Sequence, residues 1–340
     1  MQTWLLSDWQ LPLAEVGVAA QRAEQLGADC VALSDNVHDA TLGALAAVQA
    51  TQRIRVATMG LVCFARSPMT TAVAAWDLQA ASRGRFQLGL SSLVAPILVQ
   101  KYSVPWVPPA PRMREYVGAL RAIFDCWQRG TPLSFTGKHY RLTRQSDYNA
   151  PPKIEHPDIP IHLGAIGPRM TSLAGEIASG LMTHPTNSSP RFVRERLLPA
   201  LQTGRDRAGR SAAAVDVIIN APLALGASSE EIRRQREMWR GMLAILFSTP
   251  EYGASLELFG YEDLGARLKQ KIREGAWQDL AACIDDALLD QLVLTSDYRG
   301  LPALVKERYQ GIASAICLTL PRANDADPAL ARIIDEIRPL

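Results

Sequence analysis

Short apolar runs alternate with amphipathic stretches along almost the whole chain. Cys30–Leu33 is continuously apolar, which is typical of a buried strand, whereas apolar residues between 16 and 26 recur at helical spacing before Gly27. The same alternation continues to the end of the chain. It predicts eight core strands, near residues 4, 31, 56, 88, 161, 182, 218 and 317. The apolar run 292–294 is either a ninth short strand or an alternative to the eighth core strand.

Repeated strand–helix units are typical of parallel strands joined by right-handed crossovers. Eight such units within 340 residues predict a (β/α)8 TIM barrel with insertions after strands four and seven. We expect one domain over 1–340, with a proline-rich lid loop at 91–111 and a helical insertion at 228–290. A doubly wound open sheet is disfavoured because no Gly-x-Gly-x-x-Gly follows the first strand.

The composition is that of an ordinary globular protein, with 48% hydrophobic and 21% charged residues. A net charge of +2 without lysine or arginine blocks gives no indication of a nucleic-acid partner. No apolar run reaches membrane-spanning length, and Met1–Trp4 lacks the charged start of a signal peptide. The five cysteines are scattered without pairwise spacing, which fits a reducing cytoplasm better than disulfides or a metal site. We therefore expect a cytoplasmic protein with a small-molecule substrate and neither a membrane nor a nucleic-acid partner.

One βαβ unit carries a candidate anion site. Ile159–Leu163 reads as a buried strand, Gly164 and Gly167 form a turn, and Pro168 suits the first turn of the helix that follows. Such a turn offers free backbone N–H groups and the positive end of a helix dipole, which together favour a phosphate. A lone Gly-x-x-Gly by itself favours a plain turn, and only its position in the whole chain favours an anion site.

The predicted ends of the core strands are poor in acid–base groups. They contain no paired carboxylates, no His/Cys/Asp cluster at metal-ligand spacing and no Gly-x-Ser-x-Gly nucleophile elbow. In a barrel, the active site lies at these carboxyl ends. Glycines and apolar residues at that position favour a bound cofactor that supplies the difficult chemistry.

Several short motifs occur in an order that resembles a known superfamily. The most specific is Ser82–Leu90, which resembles a Ser-x-Gly-Arg-x-x-Leu-Gly-x-Gly signature. Further matching segments are Ala23–Asp29, Asp35 with His38-Asp39, Thr58–Gly60, Ala65–Pro68, Pro111–Tyr116, Gly167–Met170, Ala174–Glu176, Arg207–Arg210, Thr249–Tyr252 and Pro302 with Arg308-Tyr309. The sequence resembles the luciferase-like oxidoreductases, and most closely the branch that uses the deazaflavin coenzyme F420.

This resemblance implies an oxidoreductase that transfers hydride between the deazaflavin C5 and a small organic substrate. Tyr102, Trp106, Phe247 and Tyr252, in the lid and the insertion, indicate that the substrate is partly apolar. The resemblance leaves two alternatives open: a monooxygenase that uses reduced FMN, and a non-catalytic barrel with a degraded cofactor site. It also implies a homodimer.

The resemblance assigns roles to residues at the predicted barrel mouth. His38 becomes a candidate proton donor, with Asp35 holding His38 or the ring edge; alternatively His38 only contacts backbone and Asp35 is a turn or N-cap residue. A non-proline cis peptide is expected within Met59–Leu61, where Gly60 eases the geometry. The residues implied to hold the cofactor are Met59, Gly60, Leu61, Ser91, Gly164, Ala165, Gly167, Arg169, Met170 and His184.

Ser91 departs from the family signature, which has glycine at this position. The side chain of a serine either shrinks the pocket or donates a hydrogen bond where backbone normally approaches the ring. Arg169 supplies charge to the phosphate in this interpretation, although its place on a first helical turn also suits a surface arginine.

Overall fold

A computed structural model describes residues 1–340, and its centre is a closed barrel of parallel strands. The barrel strands are β1 (Gln2–Leu6), β2 (Cys30–Leu33), β3 (Arg55–Thr58), β4 (Leu61–Val62), β5 (Phe86–Ser91), β8 (Ile161–Gly164), β9 (Gly180–Met182), β10 (Asp216–Ile219) and β13 (Ala315–Thr319). Their order around the barrel is β3-β2-β1-β13-β10-β9-β8-β5, and pairing of β3 with β5 closes it. The short β4 continues β3 along β5.

All eight core strands predicted from the apolar runs lie in this barrel, so the predicted (β/α)8 fold is confirmed. Four further strands lie outside it: β6 (Phe135–Thr136), β7 (Arg141–Leu142), β11 (Leu223–Gly226) and β12 (Leu294–Asp297). The strands β6 and β7 form an antiparallel hairpin, and β11 pairs with β12 in parallel. The run 292–294 therefore leads into an additional strand that does not replace β13.

Helices cover the outside of the barrel or lie in the segments inserted between its strands. They are α1 (Leu13–Gln25), α2 (Ala40–Ala50), α3 (Pro68–Ser82), α4 (Ala95–Gln100), α5 (Pro109–Arg129), α6 (Pro168–Ile177), α7 (Pro190–Phe192), α8 (Leu198–Ala208), α9 (Ser229–Phe247), α10 (Ala254–Phe259), α11 (Leu264–Arg273), α12 (Asp286–Leu292), α13 (Leu301–Tyr309) and α14 (Asp327–Ile337). A π-helical segment, Val193–Leu197, joins α7 to α8. No helix is both long and apolar enough to cross a membrane.

The strands divide their side chains between two cores because successive residues point to opposite faces. Leu5 and Val31 belong to a large cluster that continues into the helices, whereas Trp4, Cys30 and Ala32 belong to a small cluster of alternate strand residues. This second cluster fills the barrel interior, as expected of a packed TIM barrel. The site must therefore lie above it, at the strand ends.

Two insertions extend the barrel mouth. The segment after β5 was expected to be a loop, but it contains α4, because Leu98 packs inward and is 2% exposed. The segment between β10 and β13 carries α9 to α12 and has its own buried cluster, which includes Leu243, Phe247 and Leu288. These insertions supply one wall of the cavity described below.

Candidate active site

A cavity of about 1160 Å³ opens at the carboxyl ends of the barrel strands. It is lined from the ends of β2, β3, β5, β8, β9 and β10, from the segment around α4, and from α5, α6 and α8. Its volume exceeds the upper end of the usual range for small-ligand pockets, roughly 1000 Å³. The space therefore suits a large ligand, or a cofactor together with a substrate.

Most of the residues that the sequence assigns to the site meet at this cavity. Those lining it are Asp35, Met59, Gly60, Ser91, Gly164, Ala165, Gly167, Arg169, Met170 and His184. His38 and Leu61 do not line it. Leu61 is fully buried in the core, and His38 borders a much smaller pocket beside α1, because the chain turns away from the mouth after Asn36. Asn36 lines the cavity instead.

Asp35 connects two elements beneath the cavity floor. Its carboxylate accepts the Val62 N–H at 2.9 Å and the Ala40 N–H at 3.2 Å, and it lies 3.5 Å from the Arg66 guanidinium. The N-cap of α2 is Asp39, whose carboxylate accepts the Thr41 N–H. Asp35 thus makes no hydrogen bond to His38, and it bonds the first N–H of α2 without being the N-cap residue. It holds the strand segment that follows Gly60.

The floor of the cavity is built from closely approaching backbone. The Met59–Gly60 peptide is cis, in the segment where the sequence predicted it. A Cβ added at Gly60 would lie 3.0 Å from the Ser91 Cβ, and one at Gly164 would lie 3.9 Å from the same atom. Ser91 therefore sits between the two glycines and occupies part of the space that a ligand would otherwise use.

The glycine corner after β8 presents unused hydrogen-bond donors. The backbone N–H groups of Ile166, Gly167, Arg169 and Met170 have no acceptor in the protein, as expected at the start of a helix. By contrast, the Ala165 N–H is bonded to the Met182 carbonyl. The corner thus offers donors and a helix dipole to an anion, but from 166 onward rather than from 164.

The outer end of the cavity is positively charged. Arg114, Arg169 and Arg207 line it, together with the carboxylate of Glu176. Glu176 pairs with Arg114 at 2.5 Å and with Arg207 at 3.5 Å, while Arg169 is exposed and has no ion pair. Glu115 also lines the cavity, and its carboxylate accepts the backbone N–H groups of Lys138 and His139. Three arginines and two carboxylates therefore leave an excess of one positive charge at this end. The sequence assigned a role to Arg169, whereas Arg114, Glu176 and Arg207 appeared there only as parts of motifs.

His184 is held in a buried polar loop on the other side of the cavity. Its ring stacks on Tyr252, with centroids 4.7 Å apart and an angle of 17° between the planes. Burial lowers the pKa of His184 to about 4, so the imidazole is neutral near pH 7. Burial also raises the pKa of Tyr252 to about 12, and Glu251 adds to this shift. Two neutral polar side chains therefore face the inner part of the cavity.

Of the four side chains expected to shape the substrate site, two reach the cavity. Trp106 and Tyr252 line it, whereas Phe247 is buried in the core of the insertion and Tyr102 lies outside the cavity wall. Glu251 lines the cavity without any sequence signal except its place beside Tyr252.

The fold and this site define a class of enzyme, and comparison with known proteins names it. The sequence model of the luciferase-like monooxygenase family matches residues 4–316. The chain belongs to this family of oxidoreductases.

Its relatives include proteins of both unknown and known activity. An uncharacterised protein of Mycobacterium tuberculosis is 34% identical over 311 residues, which cover 91% of each chain. The F420-dependent glucose-6-phosphate dehydrogenase of Nakamurella multipartita is 30% identical over 256 residues, covering 72% of this chain and 71% of that enzyme. Among solved structures, the F420-dependent tetrahydromethanopterin reductase of Methanopyrus kandleri shares the fold, with a TM-score of 0.80, 21% identity and coverage of 100% and 98%.

Proposed function

We propose that this protein is an F420-dependent oxidoreductase that acts on a small, partly apolar organic substrate. The observation that carries the proposal is that free N–H donors, an arginine cluster with a net positive charge and a glycine-built floor open on one cavity at the barrel mouth. The two relatives named for their coenzyme support the same assignment. When bound, the deazaflavin supplies a carbon that accepts or donates hydride.

The residues around the cavity fit such a cofactor. Gly60 and Gly164 line the floor, where their missing side chains let the backbone approach Leu90 and Ser91. The N–H groups of Ile166, Gly167, Arg169 and Met170 suit a phosphate. His38 is left out of this assignment because it lies at a different pocket. Asp35 is included only as the residue that holds the floor.

The charge at the outer end favours F420 over FMN. FMN ends at its phosphate, which the glycine corner alone can bind, whereas F420 continues into an acidic tail. Arg114, Arg169 and Arg207 line this end, and the two carboxylates that line the cavity beside them, Glu115 and Glu176, leave one positive charge unbalanced. A second anionic group on the ligand would satisfy these cations, since charge-assisted contacts of arginine to carboxylates are strong.

Titration of the purified protein with F420 and with FMN tests this assignment. Binding is followed by quenching of tryptophan fluorescence, for which Trp106 in the cavity wall is a suitable reporter. We expect F420 to bind more tightly than FMN. Tight FMN binding without F420 binding would favour the flavin monooxygenase alternative, and binding of neither would favour a non-catalytic barrel.

Two variants locate the ligand. A Cβ added at Gly167 meets no protein atom within 4 Å, so Gly167→Ala should leave the fold unchanged and weaken both cofactors by about tenfold if a phosphate approaches this backbone. Gly241→Ala is the matched control, because its Cβ also meets nothing and it lies on α9 away from the cavity.

The second variant separates the two cofactors. Arg207→Gln should weaken F420 by about threefold to fivefold, as expected for one exposed charge, and leave FMN unchanged. Arg191→Gln removes a similarly exposed arginine outside the cavity and should change neither. Equal effects of Arg207→Gln on both cofactors would contradict binding of the acidic F420 tail at the outer end of the cavity.

A further inference from the structure

The loop that carries His184 is polar but almost completely buried. Thr186, Asn187, Ser188 and Ser189 are each no more than 1% exposed. Such a segment is stable only if its polar groups are bonded, because burial without partners is costly.

Each end of this loop is fixed by specific hydrogen bonds. The His184 N–H donates to Asn187 Oδ1 at 2.7 Å, and Asn187 Nδ2 donates to the Ala165 carbonyl at 2.9 Å. Tyr309 donates to the Ser188 carbonyl at 2.9 Å, and Ser255 donates to the Thr186 carbonyl. The loop is therefore anchored to the glycine corner, to α13 and to the insertion.

The same loop determines the hydrogen-bonding state of the His184 ring. Thr186 directs both its backbone N–H, at 3.4 Å, and its hydroxyl, at 2.9 Å, toward Nδ1. Because a backbone N–H can only donate, Nδ1 is an acceptor, and the single proton of the neutral ring resides on Nε2. Nε2 has no acceptor in the protein, although the side chain lines the cavity. The partly buried ring therefore offers one unused N–H donor to the cavity.

We propose that His184 Nε2 donates a hydrogen bond to an acceptor oxygen of the substrate, so that the site selects compounds with a carbonyl-type oxygen next to an apolar group. This inference rests on the proposed function and names its substrate class. The ring cannot rotate freely to present an acceptor, because Thr186 bonds Nδ1 and Tyr252 stacks on its face. A fixed neutral imidazole N–H is an established means of polarising a carbonyl group.

Two substitutions separate the donor from the shape of the ring. His184→Phe keeps a flat ring against Tyr252 but removes the N–H. His184→Gln loses the ring but keeps an amide N–H at a similar reach.

The probes are acetophenone, which has an acceptor oxygen, and ethylbenzene, which has the same ring and no acceptor. Their binding to the full-length protein is measured by NMR titration, with and without oxidised F420.

We expect the wild-type protein to bind acetophenone more tightly than ethylbenzene. His184→Phe should weaken acetophenone by about fivefold, the effect of one hydrogen bond, and leave ethylbenzene unchanged. His184→Gln should restore part of the difference. The proposal is overturned if the wild type does not discriminate between the probes, or if His184→Phe retains the discrimination.

The tautomer is measured independently of any ligand. In protein labelled with 15N-histidine, two-bond proton–nitrogen correlations should show the His184 proton on Nε2, and Thr186→Val should increase the Nδ1–H form. A proton on Nδ1 in the wild type overturns the proposal. Loss of F420 binding with intact probe discrimination would instead overturn only the cofactor assignment, since the two titrations are separate.

Discussion

The carboxylate of Asp35, at the end of β2, accepts the backbone N–H of Val62 at 2.9 Å in the segment after β3. The Asp35 side chain is only 8% exposed, and its other oxygen accepts the Ala40 N–H at the start of α2. One buried side chain thus connects two neighbouring βα units directly beneath the cavity. Asp35, which the sequence assigned to the site, therefore has a structural role in holding the cavity floor.

Asp35→Asn should lower the free energy of unfolding by about 1–3 kcal/mol. The substitution replaces an acceptor with an amide that cannot accept both N–H groups, and it removes the negative charge beside Arg66. Urea unfolding followed by circular dichroism measures the change. Asn36→Ala is the control on the same turn; since Asn36 is exposed, it should change stability by less than about 0.5 kcal/mol.

Gly60→Ala should weaken cofactor binding, and Ser91→Gly should partly restore it. The Cβ of the alanine would lie 3.0 Å from the Ser91 Cβ and 3.3 Å from the Leu90 carbonyl carbon, so only the first contact is relieved by glycine. Ser91→Gly alone should tighten binding because it clears the floor. Fluorescence titration gives the cofactor Kd of the wild type, the two single variants and the double variant, which together form a double-mutant cycle. Strictly additive effects on the binding free energy would show that the two positions do not share this space.

Arg85, in the Ser82–Leu90 signature, has a structural role that requires the guanidinium of an arginine. Its guanidinium donates to the Ile54 carbonyl at 2.7 Å, the Thr51 carbonyl at 3.0 Å and the Val48 carbonyl at 3.3 Å, which joins the start of β5 to the α2–β3 connection. Arg85→Lys cannot reproduce this fork and should cost about 3 kcal/mol in unfolding free energy. The exposed neighbour Arg83 provides the control, since Arg83→Lys leaves these carbonyls bonded.

Stability should fall as the pH decreases from 6.5 toward 4. Burial lowers the pKa of His162 and of His184 to about 4, below the ordinary value of 6.5, so the unfolded chain binds more protons in this interval. The contribution of these histidines to the free energy of unfolding is therefore fully present above pH 6.5. It is lost as the pH falls, by up to about 3 kcal/mol for each histidine. Arg55 adds to the shift of His162.

His162→Phe isolates one of these two contributions. The buried Nδ1 of His162 has no hydrogen-bond partner, so phenylalanine should cost little at pH 7.5 and should flatten the dependence between pH 6.5 and 4. Denaturant unfolding at a series of pH values measures this slope. His156→Gln, at a half-exposed position, should leave the slope unchanged; an unaltered slope in His162→Phe would show that other groups dominate.

The barrel and its glycine corner were predictable from the sequence because their signals are local. Apolar runs at strand spacing, Gly164 and Gly167 before a proline, and the signature around Arg85 each depend on neighbouring residues. The position of the Met59–Gly60 cis peptide was predicted from the family resemblance, which also depends on a short segment of sequence. Since parallel strands bring their carboxyl ends together, the eight predicted strand positions already indicated which segments meet at the cavity.

Only the tertiary structure decided which side chains face that cavity and what holds them. His38 and Asn36 are two residues apart, yet a turn sends the first to another pocket, and no periodicity encodes that choice. The stack of His184 on Tyr252 joins β9 to an insertion far along the chain. Contacts between distant segments depend on how whole elements pack, whereas sequence patterns report which residues are buried but not which partners they meet.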